Sequence, residues 1–172
     1  AALCGRALPL GPVSGQMMTT PPQPFYVRAL VVVAHNAAIP DCPARDLRQG
    51  ADGRLWVGTV NHHGSYNAAV RRADTDLIRA SMSRIFPALA GIPFDRGYAG
   101  TRTIPADGLP VYGRAEEGLY FAVPMSGIAE AAAAGRTMAE LIVDGKSPGL
   151  PEAFSPLRLD PGNEGRAKAL SA

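Results

Sequence analysis

Apolar and polar positions along the chain change period several times, and each change predicts a different element. Residues 8–18 mix turn residues with short apolar pieces and read as the entry of a strand, which Pro21, Pro22 and Pro24 then end. Residues 25–34 are rich in Val, Leu, Tyr and Phe and predict a buried strand. Two further strand-like pieces, 47–49 and 54–60, flank Asp52-Gly53, residues that tolerate a positive φ, so the pattern predicts an antiparallel hairpin with Trp56 in the core. Between 74 and 86 the period becomes helical. Ile78, Met82 and Ile85 fall on one face, Asp74 or Thr75 is available as N-cap, and Pro87 stops the helix. Short strands follow at 94–102, 109–111 and 119–123. A closing helix is predicted over 127–143, with Ser126 at its start, Gly145 at its end and Ala131, Ala134, Met138 and Leu141 on its apolar face.

Paired strands, one helix, more strands and a last helix predict an α+β protein with a mostly antiparallel sheet. The 172 residues and 47% hydrophobic content suffice for a core. A net charge of +2, spread among interspersed acids and bases, gives no reason to expect a nucleic-acid partner. Arg71 and Arg72 read as the solvated start of a helix. No apolar run approaches the roughly 20 residues of a membrane span, and no secretory leader pattern opens the chain, so the cytoplasm is the expected compartment. Cys4 and Cys42 lack metal-like spacing and read as reduced thiols, and His35, His62 and His63 form no ligand motif, so no metal is expected.

The residues contain no GxGxxG, no GxxxxGK[ST] and no GxSxG. By itself the chain therefore carries no recognisable phosphate cradle and no nucleophile elbow. Arg102 closes a strand just before the Pro105-Ala106-Asp107-Gly108 turn, where a guanidinium can project into a cleft and hold a carboxylate, or can pair with Asp107 at a sheet edge. Pro124-Met125-Ser126-Gly127-Ile128 forms a small turn opening the last helix, with free N–H groups and the positive end of a dipole. His62, His63 and Tyr66 fall in a predicted loop after the hairpin. Tyr66, Tyr98 and Tyr112 can each close a pocket or simply pack.

A collinear set of pieces carries a resemblance. It runs through Pro12 to Met17, Arg48-Gln49 with the Asp52-Gly53-Arg54-Leu55-Trp56-Val57-Gly58-Thr59 run, and the Gly100-x-Arg102 piece followed by Asp107-Gly108-Leu109-Pro110. It continues in Gly118-Leu119-Tyr120-Phe121 and Gly135-Arg136. In this order the pieces cover nearly the whole chain, which resembles the C-terminal half of FAD-dependent amine and amino-acid oxidoreductases of the D-amino-acid oxidase superfamily, such as glycine oxidase, opine oxidase and D-amino-acid dehydrogenase. The resemblance implies a substrate-binding-like domain over 1–98, the C-terminal strands and helix of an FAD-binding domain over 99–160, and a disordered tail at 161–172. It implies Arg102 as the anchor of a substrate carboxylate, with Tyr112, His62 and Tyr66 about the substrate. Pro124, Met125, Ser126, Gly127, Ile128 and Ala129 would lie against FAD. Met125, Ala129 and Glu130 depart from the family's residues at that turn, and Glu130 brings a negative charge where the reduced flavin gathers its own. The expected partners are an amino-acid or amine substrate and an N-terminal FAD-binding half or separate subunit, in a homo- or hetero-oligomer. The alternative is a non-catalytic or degenerate, substrate-domain-like binding or scaffold subunit that needs a partner chain.

Overall fold

The computed structural model describes residues 4–6, 8–33, 42–44 and 46–160. His35 and the expected tail at 161–172 lie outside them. The fold is α+β with mostly antiparallel strands. It divides into two compact units, one comprising Pro12–Arg102 and the other Ala1–Gly11 with Thr103–Ala172. The chain passes between them within β1 (Leu10–Thr19) and β5 (Arg96–Pro105).

The Pro12–Arg102 unit is built on a five-stranded sheet in the order β2-β3-β4-β1-β5, with β2 at Val31–Val32, β3 at Asp46–Gln49 and β4 at Leu55–His63. The hairpin forms where Asp52-Gly53 predicts it: Gln49 opposes Leu55, Gly53 takes φ +80°, and Asp52 Oδ1 accepts the Arg54 N–H at 3.1 Å. Helix α1 (Arg72–Ile85) lays Ile78 and Met82 on Met18, Leu47, Leu55 and Val57, the centre of the core. Its N-cap is Arg71 rather than Asp74 or Thr75, and the capping is done from the sheet. Gln16 Oε1 accepts the Arg71 N–H at 2.6 Å while Gln16 Nε2 donates to Arg71 O and Thr75 Oγ1, each at 3.0 Å.

The buried strand expected at 25–34 is not formed among its described residues. Only Val31–Val32 pairs, with Leu47 and Asp46, and Phe25, Tyr26 and Leu30 are exposed. Here the Gln49 side chain takes the place of a neighbouring strand. Gln49 Oε1 accepts the Tyr26 and Val27 N–H groups at 2.8 and 3.2 Å, and Nε2 donates to Pro24 O at 2.9 Å. Trp56 likewise lies outside the core cluster, on the sheet face away from α1.

In the other unit, β6 (Val111–Glu116) and β7 (Leu119–Val123) form an antiparallel hairpin, followed by α2 (Gly127–Val143) and two 3-10 turns at Glu152–Phe154 and Pro156–Leu159. Arg158, buried in this unit, grips Asp107 with Nε to Oδ2 at 2.7 Å and Nη2 to Oδ1 at 3.0 Å, and donates to Leu109 O at 2.9 Å. Helix α2 has the predicted bounds but no buried residue; Ile128 is 97% and Val143 80% exposed. No helix among the described residues is long and apolar enough to cross a membrane.

Candidate functional site

The sheet of the Pro12–Arg102 unit has one face under α1 and one open. Strand alternation sends Leu47, Leu55 and Val57 to the α1 side and Asp46, Arg48 and Trp56 to the other. On that open face the Arg48 guanidinium lies 4.9 Å above the Trp56 ring, which stacks on Tyr98 of β5 at 4.9 Å. A Cβ at Gly97 would strike Val70 and Met18, so Gly97 faces inward, and Tyr98, Gly100 and Arg102 alternate outward with it.

Arg102 is exposed, and its side chain makes no hydrogen bond or ion pair among the described residues. The pairing with Asp107 is not formed, because Asp107 is held by Arg158. Arg102 instead acts electrostatically on Asp46 of the same face.

The other substrate candidates are placed differently. His62 is on β4 rather than in a loop, opposite Ser14, and its Nε2 lies 2.8 Å from Oδ2 of Asp74, which is buried in the first turn of α1. It therefore braces the sheet against α1 and points away from the open face. Tyr66 is 79% exposed, and its carbonyl accepts the Thr101 hydroxyl at 3.2 Å, tying its loop to the residue beside Arg102. Tyr112 belongs to the other unit. It is buried, stands edge-on to Phe154 at 6.3 Å and donates its hydroxyl to Glu130 Oε2 at 2.6 Å. Burial, followed by the Glu130 charge, raises the Tyr112 pKa above the ordinary phenol range. Tyr112, Glu130, Thr137 and Leu150 line a cavity of about 290 Å³ beside α2.

At the α2 N-terminus, Ser126 gives no side-chain cap. Glu130 turns back, and its Oε1 accepts the Ser126 N–H at 2.7 Å. The Tyr112 hydroxyl first, then the Ser126 and Met125 N–H groups, hold the Glu130 carboxyl below its usual range. Pro124 and Met125 are partly covered, whereas Ser126, Gly127, Ile128 and Ala129 are exposed. The N–H groups of Gly127, Ile128 and Ala129 have no acceptor among the described residues, as expected for a first helical turn. These amides fit the electron-rich edge of a flavin ring, and Glu130 supplies an opposing charge one residue further on. Among the described residues no group of three or more His, Cys, Asp or Glu could hold a metal ion.

The sequence drew attention to Arg102 through its motif but gave no sign of Asp46, which reaches the same face through register alone.

Solved structures with this fold include glycine oxidase from Geobacillus kaustophilus, at 21% identity and a TM-score of 0.77 over 93% of this chain and 42% of that one. L-proline dehydrogenase from P. horikoshii matches at 26% identity with a TM-score of 0.78, covering 91% of this chain and 42% of that one. Among curated proteins, an opine oxidase subunit of Rhizobium meliloti is 28% identical over 133 residues, 76% of this chain and 36% of the relative. The Agrobacterium tumefaciens (strain Ach5) protein of the same name is 27% identical over 119 residues, 68% of this chain and 32% of its own length. The chain thus spans about a third of the length of the curated relatives it matches. The family model for FAD dependent oxidoreductases (DAO) matches residues 1–141, and the chain belongs to that family.

Proposed function

We propose that this chain is the C-terminal part of a flavin-dependent oxidoreductase that oxidises the C–N bond of a small amino acid, a secondary amine or an opine. The observation that carries the reading is Arg102: an exposed guanidinium on an open sheet face, without a partner among the described residues, four positions along β5 from Tyr98, which stacks on Trp56. A fork of this kind holds a carboxylate by two parallel hydrogen bonds. FAD, when bound, supplies the acceptor for a hydride from the carbon next to nitrogen. The chain's own work is then orientation and exclusion of water. Arg102 fixes the carboxylate, Tyr98 and Trp56 wall the face, and the exposed amides of Gly127, Ile128 and Ala129 favour charge on the flavin edge. No general base is required if the amine binds neutral, and none is assigned.

The phosphate-binding part of FAD has no counterpart in these residues, so an N-terminal FAD-binding half or a separate subunit completes the protein in this reading. The exposed helix α2 supports such a partner, as does the naming of both curated relatives as oxidase subunits. A second reading, a non-catalytic scaffold subunit, draws on Glu130, whose anion lies at the turn where a reduced flavin would place its own.

The test compares Arg102→Ala and Arg102→Lys in the FAD-loaded protein, on an amino acid and on its decarboxylated analogue. Losing the clamp costs about 2–3 kcal/mol, so kcat/KM for the amino acid falls about 100-fold with Ala and less with Lys. The analogue changes little. Equal losses on both substrates, with FAD retained, would assign Arg102 to the fold.

A further inference from the structure

The cavity beside α2 lies wholly within the unit containing Thr103–Ala172. Glu130, Ala133, Ala134 and Thr137, spaced three and four apart along the helix, present one stripe of α2 to it. The two alanines leave the space open, and Tyr112 and Phe154 give it an aromatic lining. Its volume of about 290 Å³ is at the lower end of ligand pockets, which run from about 300 to 1,000 Å³, and suits one long side chain better than a cofactor.

The lining contains one acid, Glu130. Its carboxylate is held by neutral donors, the Tyr112 hydroxyl at 2.6 Å on Oε2 and the Ser126 N–H at 2.7 Å on Oε1. No cation among the described residues forms an ion pair with it. Arg158 is engaged with Asp107, Arg136 with Glu140, and Arg6 with Glu116 and Asp160. Solvent answers the charge while the cavity is open. The exposed Ile128, Ile142 and Val143 give α2 an apolar surface to be covered, and about two thirds of the length of the curated relatives lies outside this chain. Once a covering part excludes water, a carboxylate there must be protonated or meet a cation. The Tyr112 hydroxyl, followed by the Ser126 N–H, opposes protonation, because both donate to the charged form. A cation is the remaining answer. The aromatic, narrow cavity favours a guanidinium over an ammonium, since it is planar, more weakly hydrated and stacks on rings.

We infer that the cavity beside α2 receives an arginine side chain of the FAD-binding part, whose guanidinium pairs with Glu130 against Tyr112 and Phe154. The inference rests on the reading above, that an FAD-binding half or subunit completes the protein, and deepens it by naming what that part inserts. Glu130 is then a residue of assembly rather than a charge set against the flavin.

The experiment labels arginines with phenylglyoxal in the FAD-loaded protein, this chain together with the FAD-binding half or subunit that completes it, and follows each arginine by peptide mass spectrometry. One arginine of the FAD-binding part should react slowly. Glu130→Gln keeps the size and an acceptor oxygen but removes the charge, and should speed that reaction about 30-fold. Tyr112→Phe disturbs the same contact and leaves the charge, so the rate should rise less than about fivefold. The absence of a slow arginine in the FAD-binding part, an unchanged rate in Glu130→Gln, or equal acceleration by the two variants overturns the proposal, as does a chain that assembles with no FAD-binding part. Anaerobic bleaching of the flavin is read separately: an arginine protected through Glu130 in a protein whose flavin no amino acid, secondary amine or opine bleaches removes the oxidoreductase reading and leaves the docking site standing.

Discussion

Two carboxylates of the unit containing Thr103–Ala172 are held ionised by different means. Burial pushes Asp107 up, but the Arg158 bonds and the Leu109 N–H more than offset it, and the net displacement is downward. Glu130 is lowered chiefly by the Tyr112 hydroxyl. A carboxylate whose folded pKa is depressed gives stability that is complete above its unfolded pKa and is lost as pH falls through the folded value, so both losses fall below about pH 4. Tyr112 has the opposite window: its pKa is raised, and its contribution is lost only as pH rises beyond the ordinary phenol range. Arg158→Ala leaves Asp107 partly buried and unpaired and should destabilise the protein by about 3 kcal/mol, measured by urea unfolding at pH 7. Tyr112→Phe removes one bond to a charged group and should cost about 1 kcal/mol, with the acid midpoint moved to higher pH. An unchanged acid midpoint would mean that Tyr112 does not hold Glu130 ionised. Asp46 is raised, and its ionisation erodes stability as pH rises through its folded value, so Asp46→Asn should melt at or above the wild-type temperature at neutral pH.

Periodicity made some elements legible and hid others. Helix α1 was legible because Ile78 and Met82 repeat on one face, and the β3–β4 hairpin because Asp52-Gly53 supplies the turn. Gly53→Ala should cost about 1 kcal/mol or more in thermal unfolding, since φ is +80° and the new Cβ would lie 3.0 Å from Gln23 O. The segment at 25–34 has the composition of a strand, yet its bonding is done by the side chain of Gln49. A sequence distant by more than twenty positions decides the outcome there, and no local pattern records it. Capping was obscured in the same way: Gln16 from β1 caps α1, and Glu130 reaches back along α2, so the polar residues at the expected caps were poor guides. The candidate site divided similarly. Arg102 stood in a motif, whereas His62 was drawn inward by Asp74, and Asp46 gained its place from a register that composition does not show.

At the scale of the molecule, the exposed side of α2 bears on the proposal that an N-terminal FAD-binding half or a separate subunit completes the flavoprotein. Its side chains Ile128, Ile142 and Val143 are exposed, and the chain carries no GxGxxG. Purified as these 172 residues, it should be colourless and self-associate; addition of an N-terminal FAD-binding half should yield a monodisperse complex with one flavin per assembly. Light scattering together with the visible spectrum reads both, and a yellow, monomeric preparation of the chain alone would contradict the expectation.

The passage of the chain through β1 and β5 has a consequence for inheritance. Those strands are neighbours in the sheet, so the Pro12–Arg102 segment begins and ends side by side, as an inserted cassette does. Such a segment can be exchanged between relatives by two cuts at adjacent points. Substrate preference, if it resides on that segment's open face, could then be transplanted as a block without rebuilding the remainder.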